Sequence, residues 1–469
     1  MAELPDIPGS DVLVLGAGAS GQAAARYLAR GGRRVLVADS RPESQIPAAA
    51  ALRALGARVQ GGGHPPSLLA GMSLVVTSPG VPPATGILKA ARRERIPVWG
   101  ELELGYRALG EPADRLVAVT GTKGKSTVVT LLAEALRLEG MPARAGGNLG
   151  EPLTALAGSF GPDEVAVVET SSFQLATIVR FRARIAVMLE VGEDHLDWHP
   201  DLADYRRSKA RLFENQTASD WVVFDGDDAV ASGLATSGAR RSGAGRLPFG
   251  GPAGAHDPQV LLDSGRIVRR DRAATRVLAS LAALRLPGRH QQRNLAAAAA
   301  AGSLLGVGRD ALEAAAASFS GLPHALEDAG SVAGVRFVND SRATNLQATR
   351  AALDAVSAEA RGGIQLILGG ILKGGRFADL EGSLGAVRGI QAIGRTKDRI
   401  AAEIRSVPVE LHDTLDGAID NALARSRPGG IVLLSPGCSS FDLFENYGDR
   451  GRCFRAAVER LQEAAGGGR

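Results

Sequence analysis

Leu116-Val-Ala-Val-Thr120-Gly121-Thr-Lys-Gly124-Lys125-Ser126-Thr127 decides how the rest of the chain is read. An apolar, β-branched run stops at Gly121, and an Ala/Leu-rich helical pattern, Val128–Leu138, follows the turn. In a strand–Gly-rich turn–helix unit, successive N–H groups form an anion nest. Lys125 then reaches β/γ-phosphates and the Ser126 hydroxyl can hold Mg²⁺. The strict pattern has glycine five residues before Gly124, where Val119 stands, so this is a shortened variant. ATP is expected on Gly121, Thr122, Lys123, Gly124, Lys125, Ser126 and Thr127.

Working outward, further short apolar runs precede Gly-rich or polar turns, with helical stretches between them. They are Val12–Leu15, Val35–Ala38, Leu74–Thr77, Val165–Val168, Ile185–Leu189, Trp221–Phe224, Val335–Val338, Ile364–Leu368, Ile390–Ile393 and Ile431–Leu434. This alternation predicts an α/β chain with mostly parallel sheets. The 469 residues allow two to four domains. Breaks near Gly105–Glu111 and Gly321–Pro323 divide the chain into 1–107, 108–320 and 321–469. Residues 236–276 read as a peripheral antiparallel stretch with loops, and Ala464–Arg469 as a frayed tail.

Composition excludes several classes. Charged residues make up 22% and the net charge is only +4, with arginines scattered, so no nucleic-acid footprint is expected. No apolar run is long enough to span a membrane, and Met1–Ser10 does not read as a secretory signal. Cys438 and Cys453 are too few for a disulfide framework and read as buried thiols, with Cys438 open to alkylation. A cytoplasmic monomer is expected. Only six of 54 basic residues are lysine: Lys89, Lys123, Lys125, Lys209, Lys373 and Lys397. His64, His199, His256 and His412 read as surface or core residues.

Near the N-terminus, Gly16-Ala-Gly18-Ala19-Ser20-Gly21 follows a strand, opens a helix, and is followed by Asp39 at the end of the next strand. This pattern binds a diphosphate through backbone amides. Ser78-Pro79-Gly80 can line the same crevice. In the middle of the chain, Glu169 ends a strand and can serve a Mg²⁺ held by Ser126. Glu193-Asp194-His195-Leu-Asp197 follows another strand and is a candidate second metal site.

Together these residues resemble the Mur ligase family, which joins a carboxylate to an amine with ATP. Matching segments run in family order: Gly121–Thr127, Gly147-Asn148 with Glu151-Pro152, Glu169–Gln174, Glu193–Asp197, Tyr205–Lys209, Gly288-Arg-His290 with Asn294, Gly321–His324, Asn339–Asn345, and Leu368-Gly-Gly with Lys373-Gly374. Asp39-Ser40-Arg41 and Ser435–Asp442 with Phe444, Asn446, Tyr447 and Arg450-Gly451 resemble the branch that adds D-glutamate to UDP-N-acetylmuramoyl-L-alanine. The resemblance implies an N-terminal Rossmann-like UDP-binding domain, a central P-loop domain and a C-terminal Rossmann-like domain. It also implies an acyl-phosphate intermediate in peptidoglycan precursor synthesis, with closure across Gly321.

The resemblance implies roles for particular residues. Gly18, Ala19, Ser20, Asp39, Ser40, Arg41, Ser78, Gly80, Asn148, Ser171 and His195 would hold the UDP substrate. Asn294 would face adenine and Asp340 the ATP ribose. Thr344, Lys373, Ser440, Phe441 and Tyr447 would hold D-glutamate. Ser126 and Glu169 would hold one Mg²⁺. His195 and a CO₂-derived carbamate on Lys209 would serve the second. Only an amine that can lose its proton takes a carbamate, which arginine does not. The sequence departs from the family at Lys123, Glu190, Gln291, Arg342 and Ala325; the last removes an expected phosphate contact, which Lys123 could replace. A nicotinamide-dependent dehydrogenase, resting on the Gly16 loop, leaves the Gly121 loop unexplained. A P-loop binding module without ligase chemistry and a sister ligase remain as alternatives.

Overall fold

A computed structural model describes residues 7–46, 48–195, 198–286, 288–372 and 374–466. It divides into two compact units, one running to Ser320 and one starting at Gly321. The first unit contains two sheets. Its N-terminal sheet has five parallel strands in the order Arg58–Gln60, Arg34–Ala38, Asp11–Leu15, Leu74–Thr77, Val98–Gly100. Val12–Leu15 is fully buried, which is why the run is continuously apolar rather than alternating. The strand order reverses between Asp11–Leu15 and Leu74–Thr77, so a crevice opens at their carboxyl ends, at Gly16 and Ser78.

The second sheet has nine strands. Its parallel part runs Gly245–Phe249, Trp221–Asp225, Ile185–Met188, Leu116–Thr120, Val165–Glu169, Ala143–Gly147. Gln259–Asp263 joins it in parallel beside Gly245–Phe249, and Arg266–Arg270 and Thr275–Ser280 extend it by antiparallel pairings. The expectation for 236–276 is therefore corrected in part. Ala229–Ser242 is a helix, and the strand after it pairs in parallel. The small residues that resemble loop composition are packing residues: a Cβ on Gly238 would lie 2.6 Å from that of Phe213. Beneath the sheet, Ala296–Ala301 of the helix Arg289–Leu305 are buried, and their small side chains let it pack against the helix Lys125–Leu138.

The second unit has one sheet, ordered Glu327–Val332, Val335–Asn339, Ile431–Leu434, Ile364–Gly369, Val387–Ile393, Val409–Leu411. Only the first pairing is antiparallel. The final helix, Tyr447–Gly466, takes in the first three residues of the tail expected to fray, and 467–469 lie outside the described residues. Cys438 is fully buried, so it is not open to alkylation, while Cys453 is exposed rather than buried.

The segment 105–111 is not a linker in its first half. Gly105 lies inside the buried helix Glu101–Ala108, where a Cβ would meet that of Leu153 at 2.6 Å. Two acids fasten this helix to the nine-stranded sheet's surroundings. Glu103, fully buried, accepts N–H bonds from Val179 (2.8 Å), Arg180 (2.9 Å) and Phe181 (2.9 Å), and pairs with Arg107 at 2.7 Å. Glu101 accepts from the Thr154 amide and hydroxyl, both at 2.7 Å. Burial pushes the Glu101 carboxyl up to about 7, against the pull of the Thr154 bonds.

Glu103→Ala leaves Arg107 buried without its carboxylate and frees three amides. It should cost about 3–5 kcal/mol in denaturant unfolding; a loss below about 1 kcal/mol would contradict the latch. Glu101 gives a pH signature. The unfolded carboxyl loses its proton near its ordinary 4.5, while the folded one keeps it to about 7. The stability this group contributes is therefore complete at low pH and lost as pH rises through that window. Glu101→Gln should flatten the decline of stability between these values; an unchanged slope would contradict it.

Candidate active site

Leu116–Thr120 lies between Ile185–Met188 and Val165–Glu169, so the turns leaving all three strands meet at one edge. Gly121 has φ +151°, and a Cβ there would sit 2.6 Å from that of Leu189. Gly124, at φ +81°, begins the helix Lys125–Leu138; its Cβ would lie 2.4 Å from Asn294 Oδ1. Both positions thus require glycine. Asn294 is brought directly against the Gly121 turn. The Thr122 amide donates to the Glu190 carbonyl at 2.8 Å, closing the turn.

Glu169 is buried at the strand end and accepts from Ser126 Oγ at 2.5 Å and Asn148 Nδ2 at 2.7 Å. Lys125 Nζ donates to the carbonyls of Gly121 (3.0 Å) and Thr122 (2.8 Å). Lys209 reaches the same Gly121 carbonyl at 2.7 Å from the helix Leu202–Ala210. It is only 2% exposed, so it is not a lysine on a solvated face. Burial, then the neighbouring Lys125 charge, holds its pKa well below the usual lysine range, although Asp194 and Glu169 oppose this. The Tyr205 ring lies 4.7 Å from Lys209 Nζ, and its hydroxyl is 2.9 Å from Thr122 Oγ1. Sequence reasoning gave Tyr205 no role; its place one helical turn before Lys209 was the available signal.

The segment after Ile185–Met188 is held by aromatic contacts. His195, at φ +56°, lies 4.6 Å from the Phe173 ring and 3.5 Å from the Asp194 carboxylate. Trp198 lies 4.5 Å from the same ring. His199 is a core residue, between Ser172 Oγ (2.9 Å) and Asp204 (2.8 Å). Ser171 caps the short helix Ser172–Leu175 together with Gln174. His195 is thus linked through Phe173 to the turn leaving Glu169. Asp197 and Lys373 lie outside the described residues.

In the N-terminal crevice, a Cβ on Gly21 would lie 1.8 Å from the Gly16 carbonyl oxygen, fixing the close turn. A Cβ on Gly18 would meet nothing within 4 Å, so packing does not require glycine there. Ser78 Oγ donates to Gly16 O at 3.3 Å. Asp39 accepts from the Ala17 amide at 2.7 Å and pairs with Arg41 at 2.9 Å. Burial alone would raise its pKa, but Arg41 and the amides outweigh that and hold it at about 2. Helix Ala19–Arg30 begins at Ala19 and Ser20, and Ser40 is exposed beside Arg41.

In the second unit, the carboxyl ends of three adjacent parallel strands carry Asn339-Asp340, Gly369-Gly370 and Ser435–Asp442. Asp340 accepts from Ser435 Oγ (2.7 Å) and the Leu326 amide (3.2 Å), and burial pushes it up to about 6. Arg450, buried, donates to Ser341 Oγ and O at 2.9 Å and to Cys438 O at 3.2 Å, stitching two of these loops together. Ser341 Oγ donates to Tyr447 O at 2.7 Å. Around this stitch, Ser440 is buried, Thr344 half-buried, and Phe441 and Tyr447 exposed.

A shortened phosphate loop with a buried acid and lysine, on an α/β chain with three mostly parallel sheets, defines a class of ATP-dependent ligase scaffold. Family models match at 10–100 (Mur ligase MurD-like, N-terminal domain), 119–302 (Mur ligase middle domain) and 326–438 (Mur ligase, glutamate ligase domain), and the chain belongs to the Mur ligase family. Its relatives include the UDP-N-acetylmuramoylalanine–D-glutamate ligase of Anaeromyxobacter dehalogenans, 42% identical over 96% of this chain and 98% of that one. That of Geobacter metallireducens is 39% identical over 97% and 98%. Among solved structures, UDP-N-acetylmuramate-alanine ligase MurC from Thermotoga maritima shares the fold, with TM-score 0.58, 19% identity, and 97% and 99% coverage. The murein peptide ligase of Psychrobacter arcticus does so with TM-score 0.56, 16% identity, and 98% and 99% coverage.

Gly124→Ala places a side chain on a left-handed residue and against Asn294. It should weaken nucleotide binding at least about tenfold, read by titration calorimetry, with about 1–3 kcal/mol lost stability. Unchanged nucleotide affinity would contradict the packing of Asn294 on the loop.

Proposed function

We propose that the chain is an ATP-dependent amide ligase that joins D-glutamate to UDP-N-acetylmuramoyl-L-alanine, yielding ADP and phosphate, in peptidoglycan precursor synthesis. The observation that carries this reading is the site at the Gly121 turn, where Lys125, Lys209, Ser126, Glu169 and Asn148 meet. That site lies in a chain matched almost end to end by ligases with this activity in their names. Residues 1–107 would take the UDP substrate, 108–320 ATP, and 321–469 D-glutamate with part of ATP.

The muramoyl-alanine carboxylate oxygen attacks the γ-phosphorus of ATP, and ADP leaves. The D-glutamate amine then attacks the acyl-phosphate carbon, and phosphate leaves. Lys125 and the amides of Lys123–Thr127 hold the phosphates, and catalysis here is positioning and charge neutralisation. The crevice at Gly18–Ser20, with Asp39, Ser40, Arg41, Ser78 and Gly80, orients the UDP portion. Asn148, Ser171 and His195 orient the muramoyl-alanine end. Asn294 is assigned to adenine and Asp340 to ribose, and Thr344, Lys373, Ser440, Phe441 and Tyr447 to D-glutamate.

Ser126 and Glu169 suit Mg²⁺. They form an all-oxygen pair within 2.5 Å, and among the described residues no cluster of three or more His, Cys, Asp or Glu suits another metal. A cation that binds one or two carboxylates and then phosphates needs no more. When bound, Mg²⁺ neutralises charge on the phosphoryl oxygens. A carbamate on Lys209 is supported by its burial and by the second ammonium on its carbonyl acceptor, which favour the neutral, reactive amine.

The test is phosphate release from ATP with UDP-N-acetylmuramoyl-L-alanine and a panel of amino acids. D-glutamate alone should stimulate it. Stimulation by another amino acid would assign a sister ligase, and release independent of any amino acid would remove the ligase reading.

A further inference from the structure

A small cavity lies where the N-terminal sheet meets the surroundings of the Glu169 turn. It is lined by Ser78, Gly100, Glu101, Gln174, Thr177 and Trp198 among others, and about 10 Å³ is open to the centre of a water molecule. That is about the space one water needs. Two groups that line it stand out. Glu101 is 1% exposed, and its Oε2 is buried with no hydrogen-bond partner among the described residues. Trp198 Nε1 is likewise buried and unpartnered among them. The indole is a donor only, and the carboxyl oxygen is its complement. Left so, each group would carry an uncompensated desolvation penalty.

We propose that one buried water bridges the Trp198 indole N–H and the Glu101 carboxyl, and that this makes both residues positioning groups for the segment carrying His195. Each end of the bridge is anchored. Glu101 is fixed by both Thr154 bonds, and the preceding Gly100 amide donates to Thr177 O at 3.2 Å. Trp198 is tied to the segment by its own amide, which donates to His195 O at 3.1 Å, and its ring lies on Phe173. The water accepts from the indole and bonds the carboxyl oxygen as donor when the carboxyl is ionised and as acceptor when it holds its proton, and Ser78 and Thr177 line the same space for its remaining bonds. A helix held rigidly by Glu101 and Glu103 thereby sets the place of a turn whose backbone is itself left-handed at His195. The positioning role rests on the proposed function; the water does not.

The test compares crystal structures and kinetics of the full chain and of Trp198→Phe, which keeps an aromatic ring to pack on Phe173 and removes the N–H together with the second ring of the indole. The wild type should show a density peak within hydrogen-bonding reach of both groups, absent from Trp198→Phe and retained in Glu101→Gln. No peak in the wild type overturns the bridge. In turnover, losing the bridge should raise the KM for UDP-N-acetylmuramoyl-L-alanine about fivefold, with the KM for ATP and kcat within about twofold. All parameters moving together, or none moving, overturns the positioning role. A chain that turns over nothing would fail the ligase reading, while the density would still decide the bridge.

Discussion

The carbonyl oxygen of Gly121 accepts from two lysine ammonium groups at once, and much of the site is arranged around it. Lys125 arrives from the helix that follows the loop, and Lys209 from a helix 88 residues downstream. Water screens the pair poorly on the Lys209 side, because Lys209 is buried against the Tyr205 ring. Two like charges at one acceptor in a poorly solvated place favour loss of one proton. Lys209 is the more deeply buried of the two, so it is the one driven toward the neutral amine. A lysine able to become neutral is the requirement for carbamate formation, and arginine would not meet it.

This constraint explains why so few lysines matter so much. In a chain whose basic residues are nearly all arginine, Lys123, Lys125 and Lys209 sit on or beside one turn. Lys123 is exposed at its tip, while the other two point at its carbonyls. Gly121 and Gly124 supply the positive-φ backbone that turns those carbonyls toward the lysines.

The parallel strands were legible because burial on both faces makes each a plain apolar run, as in Val12–Leu15 and Leu116–Thr120. Ala143–Gly147 was not, since an edge strand of Ala, Arg and Gly carries no such signal. Gly105 and Gly238 read as linker or loop residues because sequence does not record that glycine can be needed for close packing. The site residues could be named from motifs and from the family resemblance. Their pairings could not: Lys209 with Gly121, Asn294 with Gly124 and Glu103 with Val179–Phe181 are long-range, and only the fold brings them together. Trp198 and Glu101 went unassigned for the same reason, being 97 residues apart.

The most direct test of the central claim is ¹³C NMR of the full chain in ¹³C-bicarbonate. The arrangement at Gly121 predicts a carbamate carbonyl resonance that disappears in Lys209→Arg and persists in Lys123→Asn. A resonance that survives Lys209→Arg, or none at saturating bicarbonate in an active enzyme, would contradict it.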